Sequence, residues 1–341
     1  MPVSARTVFS TAGLPAARRI ERWESHNATA LIGLDVHADG PLEATEVNVQ
    51  LPEVRLARVR GSAHAVERTP GVIGRSPADS VAVYLTLRGE AWFTGTDGTI
   101  ELHPGDVLAC STDRPFARGF TRGLEELVVT VPCAALRARA DVDPTGKPTI
   151  TSFAAIGARG AASRAPLAGT RHYARALARL TGRATGTAAA SPPDEGTVVD
   201  LVAVLTAGGD AAPATAHRAA ARCYIEEHLT NPALGAEQIA AAIGISERQL
   251  SRVFAADGTS VPRHVLTRRL QLAHSILAAR PPVVGETVVG GTVVGETVVG
   301  EAAHAETVAD VAARCGFSSA AYFSHAFRLH FGVRASELRR G

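Results

Sequence analysis

Apolar and polar positions change rhythm along the chain. From about residue 29 to 131, LIGLDV, VRLARVRG, VAVYLTLRGEAWF, TIELHPGDVLA and LEELVVTVP are alternating or β-branched runs broken by Gly, Asp and Pro. Strands at this spacing predict a sandwich or a barrel. TDG at 96–98 carries the Asp-Gly signal of a tight hairpin, and HPGD at 103–106 marks another turn. From about 134 to 208 the texture is helical, notably in HYARALARLTG and TVVDLVAVLTAGG. GGDAAPATA, at 208–216, has linker composition. The expected domains are therefore 1–208 and 217–341, with 209–216 as the linker.

Beyond the linker, helical periodicity takes over and two segments resemble each other. IAAAIGIS at 239–246 lines up with VAARCGFS at 311–318, and apolar residues follow at i, i+4 as Leu250 and Phe254 in one and Phe323 and Phe327 in the other. In each copy a small residue, Ala240 or Ala312, permits close helix approach, and Gly244 or Gly316 suits the left-handed end of a first helix. Ser246 and Ser318 are placed to cap a second helix, and Ser246 with Gln249 fits the capping-box pattern. Helix, tight turn, helix is a DNA-reading motif.

The second helix of each copy divides into two faces. Leu250, Val253 and Phe254 point inward, leaving Glu247, Arg248, Ser251 and Arg252 outside. Likewise Phe323, Ala326 and Phe327 point inward, leaving Ala320, Ala321, Ser324, His325 and Arg328 exposed. Arg, Ser and His offer hydrogen bonds to bases or phosphates, and alanines can meet thymine methyls. A solvated face is the better explanation of one such helix alone, but two tandem copies reverse that balance in favour of DNA reading. Between them RHVLTRRLQLAHSILAAR, 263–280, carries an apolar stripe at Leu266, Leu270, Ala273 and Leu277. A helix of about 17 residues spans roughly 26 Å, which with the motifs' own width suits major grooves ~34 Å apart.

Composition narrows the field. A chain of 341 residues exceeds the ~250 to 300 at which one core stops growing, and 46% hydrophobic with 20% charged residues excludes a wholly disordered chain. Lys+Arg 35 against Asp+Glu 33 gives +2, too little to argue for nucleic acid or membrane. Up to residue 216 there are 22 basic and 22 acidic residues; beyond it there are 13 and 11, or 13 and 8 without the three glutamates of a repeated tract at 283–302. The second domain is thus mildly basic. Cys110, Cys133, Cys223 and Cys315 lack C-x-x-C spacing, which implies neither a zinc knuckle nor a disulfide scaffold and fits a reducing cytoplasm. No secretory core and no stretch near the ~20 apolar residues of a bilayer span are present, so a soluble, cytoplasmic protein without membrane contact is expected.

The residues ISERQLSRVFAADGTSVPRHVLTRRLQLAHSIL and VADVAARCGFSSAAYFSHAFRLHFG resemble the AraC/XylS family of bacterial transcription regulators over about 125 residues. Upstream, RTVFSTAGLP, HAVERTP and LHPGDVLACSTDRPF look like the AraC-type ligand-binding domain. The resemblance implies an α+β fold: a cupin-like β-barrel at about 28–133 with helices at about 134–208, then an all-α domain with two helix-turn-helix motifs joined by a long helix. It also implies a sequence-specific regulator of double-stranded DNA, read here as an activator that would meet RNA polymerase. Such a protein would form a homodimer through its first domain, where a small-molecule effector or partner acts. Ala335 and Leu338 depart from the family's usual Pro and aromatic residue after the second motif. VVGET-VVGGT-VVGET-VVGEA at 283–302 is a five-residue tandem repeat inserted between the motifs. It is expected to form a solvent loop that weakens docking of the second motif by about 1 to 2 kcal/mol.

Other chemistry is sparse. His64 and His103 lie where a cupin enzyme would place metal ligands, yet no H-x-H pair with a following Glu accompanies them. Cys110 and Cys133 form a redox pair only if folding brings them together. Trp23, Tyr84, Trp92, Phe93, Phe116 and Phe120 either line a ligand cavity or fill the core, and Arg58, His64, Arg68 and Arg88 could meet an anionic effector. Of these, His64, Tyr84, Arg88 and Trp92 are the effector-binding candidates. With no phosphate-binding or nucleophile-elbow motif present, the sequence assigns no catalytic residue, metal or cofactor, and a non-enzyme is expected. The alternatives are a cupin-type metalloenzyme with an accessory helical domain, and a regulator whose DNA binding is impaired by the insertion.

Overall fold

The computed structural model describes residues 5–139, 146–153, 170–186, 192–207, 212–278 and 306–338. The repeat tract at 283–302 lies outside them, as do 209–211 of the expected linker.

Strand β1 (Ala5–Ser10) and helix α1 (Arg19–Ala30) lead into β2 (Asp35–His37), β3 (Ala44–Gln50), β4 (Arg55–Gly61), β5 (His64–Arg68) and the short α2 (Pro70–Arg75). Then come β6 (Ser80–Arg88), β7 (Ala91–Gly95), β8 (Gly98–Leu102), β9 (Asp106–Ser111), β10 (Phe116–Phe120) and β11 (Leu124–Pro132). They pair antiparallel into a seven-stranded sheet, β1-β3-β4-β11-β6-β9-β12 with β12 (Thr149–Ser152), and a five-stranded sheet, β2-β5-β10-β7-β8. Helices α3 (Cys133–Arg139), α4 (Arg171–Ala184), α5 (Glu195–Thr206) and α6 (Pro213–His228) form a third layer.

Alternation along β6 sends Val81, Val83 and Leu85 to the helices and Ala82 and Tyr84 into the space between the sheets. A sheet buried on both faces reads as a nearly continuous apolar run, which is why β6, β9 and β11 stand out in the sequence. The expected β-barrel is corrected to an open two-sheet sandwich: among the described residues no strand pairs across from one sheet to the other. Edge strands β2 and β12 have three and four residues, too short to carry a closing ladder. The sandwich also extends beyond 28–133, since β1 lies before that range and β12 after it. Of LIGLDV only the end is strand; Leu31 and Ile32 plug the inter-sheet core after α1.

Helix α6 starts at Pro213, inside the stretch expected to be linker, because proline is favoured in a first helical turn. Helices α7 (Ala236–Ile243), α8 (Glu247–Ala255), α9 (Val261–Ala278), α10 (Val308–Arg314), α11 (Ala320–Phe331) and α12 (Ala335–Leu338) follow. They close two small cores that share α9 as a spine. Val261 and Val265 pack with α6, α7 and α8, whereas Leu270, Ala273 and Leu277 pack with α10, α11 and α12.

The internal duplication is exact at the turns in hydrogen-bond pattern. Ile245 N–H donates to Ala240 C=O at 3.0 Å and Phe317 N–H to Ala312 C=O at 3.0 Å, around Gly244 at φ +73° and Gly316 at φ +84°. The copies then diverge by one residue. Ser246 caps α8, accepting from Gln249 N–H at 3.2 Å, but α11 is capped by Ser319, accepting from Tyr322 N–H at 3.2 Å. This corrects the expected cap at Ser318: the second turn is one residue longer.

Candidate functional site

Each second helix is set by three devices visible in its sequence: a glycine turn behind it, a serine cap at its start and an apolar stripe beneath. Leu250, Val253 and Phe254 are buried under α8, and Phe323, Ala326 and Phe327 under α11. Glu247, Arg248, Ser251 and Arg252 are all exposed on α8, as are Ala320, Ala321, Ser324, His325 and Arg328 on α11. Among the described residues Arg248, Arg252 and Arg328 enter no ion pair, so their donors face solvent uncommitted. Ser324 instead donates its hydroxyl to Ala320 C=O at 2.9 Å. Tyr322, which the sequence reading passed over, is 55% exposed beside this face.

The turn of the second helix pair meets the segment that follows α6. Arg269 on α9 donates from Nε to Leu229 C=O at 2.9 Å and from Nη2 to Asn231 C=O at 2.6 Å. Gly316 lies against the same place, where an added Cβ would stand 3.0 Å from Arg269 Nε and from the carbonyl oxygens of Leu229 and Thr230. A groove of about 220 Å³ runs along this junction, lined by Val265, Arg269, Phe317 and Tyr322 among others.

A second candidate site lies inside the sandwich. His64 on β5, Tyr84 on β6, Arg118 and Phe120 on β10, and Glu126 and Val128 on β11 surround a cavity of about 40 Å³, closed on one side by Trp23 and Asn27 of α1. Arg118 and Glu126 come from opposite sheets and join through two bonds, Nη1 to Oε1 at 3.1 Å and Nη2 to Oε2 at 2.8 Å. The guanidinium lies over the Tyr84 ring, 3.7 Å from its centroid. Burial pushes the Tyr84 hydroxyl pKa up and the His64 imidazole pKa down. His64 Nδ1 lies 2.8 Å from Ser62 C=O, so the neutral tautomer that donates there leaves Nε2 as an acceptor. The arrangement offers a fixed polar wall in an apolar chamber.

Sequence reasoning named His64, Tyr84, Trp23 and Phe120 among these groups and missed Arg118 and Glu126. The apolar neighbours Phe116 and Phe120 at two-residue spacing place Arg118 inward, and Leu124 and Val128 do the same for Glu126. Trp92 is not in the chamber: Ala91 and Phe93 take the inward positions, and the indole lies outside across Gly119, where an added Cβ would fall 2.2 Å from the ring. Arg88 is likewise elsewhere, its side chain 84% exposed and its Nε 3.7 Å from Glu125. Arg58 and Arg60 grip the same carboxylate, holding Glu125 below the usual range despite the raising effect of burial. Arg68 is a structural tie, donating to the carbonyls of Thr112, Gly33 and Ser76 and to Asp113.

His103 sits half exposed on the β8–β9 turn, 3.8 Å from Asp106, away from the chamber that His64 lines. Among the described residues no three His, Cys, Asp or Glu side chains converge as metal ligands. Cys110 and Cys133 are buried in different cores, one between the sheets and the other under the helices, so they are not a redox pair. Burial raises their thiols to about 12 and about 11. No described helix is long and apolar enough to cross a membrane.

Comparison with known proteins adds four findings. The AraC-binding-like domain family matches residues 23–230. Transcriptional activator RhrA of Rhizobium meliloti (strain 1021) is 32% identical over 122 residues, 36% of this chain and 32% of RhrA, so the chain spans about a third of that curated relative. Among solved structures, the AraC-like transcriptional activator CuxR aligns at 20% identity and a TM-score of 0.44, covering 78% of this chain and 94% of CuxR. An AraC-type DNA-binding regulator from Chromobacterium violaceum aligns at 26% identity and a TM-score of 0.28, covering 36% of this chain and 89% of its own.

Proposed function

Because the chain belongs to the AraC/XylS family of transcriptional regulators, we propose that it is a sequence-specific DNA-binding activator controlled by a small molecule at the sandwich. In this reading α7–α8 and α10–α11 are helix-turn-helix motifs of a DNA-binding domain, and the residues before it form an effector and dimerisation domain. Helix α8 presents Glu247, Arg248, Ser251 and Arg252, and α11 presents Ala320, Ala321, Ser324, His325 and Arg328, to base edges and phosphates of double-stranded DNA. The observation that carries the reading is that all nine side chains are exposed on helices anchored to one continuous α9. RhrA's designation as an activator favours that sign of regulation and RNA polymerase as a partner.

In this reading His64 and Tyr84, joined by Arg118 and Glu126, are the effector-facing groups, while Arg88 and Trp92 lie outside that chamber. An effector that binds one arrangement of the sandwich better than another shifts the population of DNA-competent chains. No catalytic step is assigned. The test is electrophoretic mobility of the full chain with DNA from upstream of its own gene. Combined Arg252→Ala and His325→Ala substitution is expected to cost on the order of 2 to 5 kcal/mol of specific binding. Weak retention, indifferent to sequence and to these substitutions, refutes the reading.

A further inference from the structure

Helix α6 belongs to both halves of the molecule. Its Ala219 and Cys223 lie in the core beneath the seven-stranded sheet, while Ala221 and Ile225 lie in the core of α7, α8 and α9. Along it, Arg218 and Arg222 are buried, with side chains 8% and 5% exposed. Three carboxylates from separate places meet them: Asp194, which caps α5; Asp200, within α5; and Asp257, in the turn just after α8.

The bonds are directional. Arg222 donates from Nη1 to Asp194 Oδ2 at 3.0 Å and from Nη2 to Asp257 Oδ2 at 2.6 Å. Arg218 donates from Nε to Asp200 Oδ1 at 2.9 Å and from Nη2 to Arg139 C=O at 2.9 Å. Arg139, the last residue of α3, donates from Nη1 to the same Asp257 oxygen at 3.0 Å. One oxygen at the end of α8 is therefore held by guanidinium groups of both α3 and α6. A carboxylate at a helix C-terminus faces the negative end of the helix dipole, so Asp257 depends on these cations for its place.

A continuous structural route leads from the inner chamber to this point. Leu124, Glu126 and Val128 of β11 line the chamber, and β11 ends at Pro132 where α3 begins at Cys133. Helix α3 is seven residues long and ends on Arg139. A displacement at the end of β11 would therefore be carried by α3 to the guanidinium that holds α8. Apolar packing beneath α8 is not directional and permits rocking; two charged bonds converging on Asp257 Oδ2 from α3 and α6 fix the place of its end.

We propose that Asp257 is a positioning residue, the clasp through which the wall of the inner chamber sets the direction of α8. The proposal rests on the reading of α8 as a DNA-facing helix only for its consequence, not for the coupling itself. Asp194 supports the clasp from the far side of Arg222, where burial would raise its pKa but Arg222, Arg268 and His264 outweigh it. Gly196 makes room, since a Cβ there would stand 2.1 Å from Arg222 Nη1.

The test is hydrogen exchange, read by mass spectrometry on the full chain, for wild type, Val128→Ala, Asp257→Asn and the double variant. Val128→Ala alters the chamber wall on β11 without touching the clasp. It is expected to speed exchange in α8 about tenfold, comparable to losing one charge-assisted hydrogen bond, and to lose that effect in the Asp257→Asn background. Additive effects of the two substitutions, or no response of α8 to Val128→Ala, overturn the proposal. Should Asp257→Asn fail to fold, Arg139→Gln removes its partner on α3 and completes the same cycle. Mobility shift with a duplex selected from a random-sequence pool runs beside it on the same four proteins. Absence of specific DNA binding by wild type, with a coupled exchange cycle, refutes the DNA reading and leaves the clasp standing. Specific binding with an additive cycle does the reverse.

Discussion

Substituting alanine for a helical glycine ordinarily stabilises a helix by about 1 kcal/mol, and Gly196→Ala is expected to do the opposite. Gly196 lies in the first turn of α5, and its added Cβ would stand 2.1 Å from Arg222 Nη1, 3.1 Å from Arg222 Cζ and 3.0 Å from Arg139 Nη2. A guanidinium at the end of a free arginine would swing aside cheaply. Arg222 is pinned by Asp194 at 3.0 Å and Asp257 at 2.6 Å, so retreat breaks both bonds. At about 1.5 to 3 kcal/mol for each charge-assisted bond, less the ~1 kcal/mol of helix propensity, the net loss is about 2 to 5 kcal/mol. Gly182→Ala is the internal control. It lies within α4, where the nearest atom to an added Cβ is Leu127 Cδ1 at 3.7 Å, ordinary contact, and a gain of about 0.5 to 1 kcal/mol is expected. Urea titration of both variants by far-UV circular dichroism, compared at constant slope, reads the difference. If Gly196→Ala stabilises the protein as Gly182→Ala does, the guanidinium is not held and the reasoning fails.

Glu126→Gln leaves Arg118 charged and buried without its anion and is expected to cost about 3 to 5 kcal/mol in urea titration, whereas Arg118→Met combined with Glu126→Leu is near neutral. Equal losses in both variants would show that packing, not charge, sets the cost. Gly316→Ala adds a side chain at φ +84° against Leu229 and Thr230 carbonyls, so a loss of at least about 1 kcal/mol is expected, with faster hydrogen exchange in α10 and α11. Unchanged exchange there would deny the close approach. Asp194, pulled to about 2 in the folded chain from an ordinary 3.8, stabilises the fold above that ordinary value and loses its effect as pH falls toward 2. Asp194→Asn keeps the α5 cap, and its deficit of about 2 kcal/mol at neutral pH should vanish across that window; a deficit independent of pH contradicts the charge argument.

How far the sequence disclosed this fold depended on whether a signal was local. LEELVVTVP is the whole of β11, because a strand buried on both faces is apolar at nearly every position. The turns at Gly244 and Gly316 were legible because left-handed backbone demands glycine there. Helix α1 gave no such signal: RIERWESHNATA buries only Trp23 and Asn27, too few positions to show a period. Arg118 and Glu126 were legible in principle from strand alternation, yet charged residues argue for the surface unless a partner is known, and theirs lies across the sandwich. Trp92 and Arg88 failed as chamber residues because residue type suggested a ligand while strand parity and strand end placed them outside. The clasp at Asp257 was invisible, since its members at 139, 194, 222 and 257 meet only through folding.

The two exposed helices are tied to the rest of the molecule unequally, and this bears on how a signal from the sandwich would reach DNA. Helix α8 packs on α6 and is gripped at its end by Arg139 and Arg222. Among the described residues helix α11 packs on α9, α10 and α12, and its half meets the end of α6 through the Gly316 turn and Arg269. A displacement of α3 therefore reaches α8 through charged bonds in one step. It reaches α11 only after passing through α6 or α9. Those bonds are charge-assisted and converge on one oxygen, so the first pair should follow the sandwich, while the second keeps its place against Leu229 and Thr230. The change open to such a molecule is one of angle between the two exposed faces rather than of joint position. A duplex that needs both faces at once would sense that angle directly.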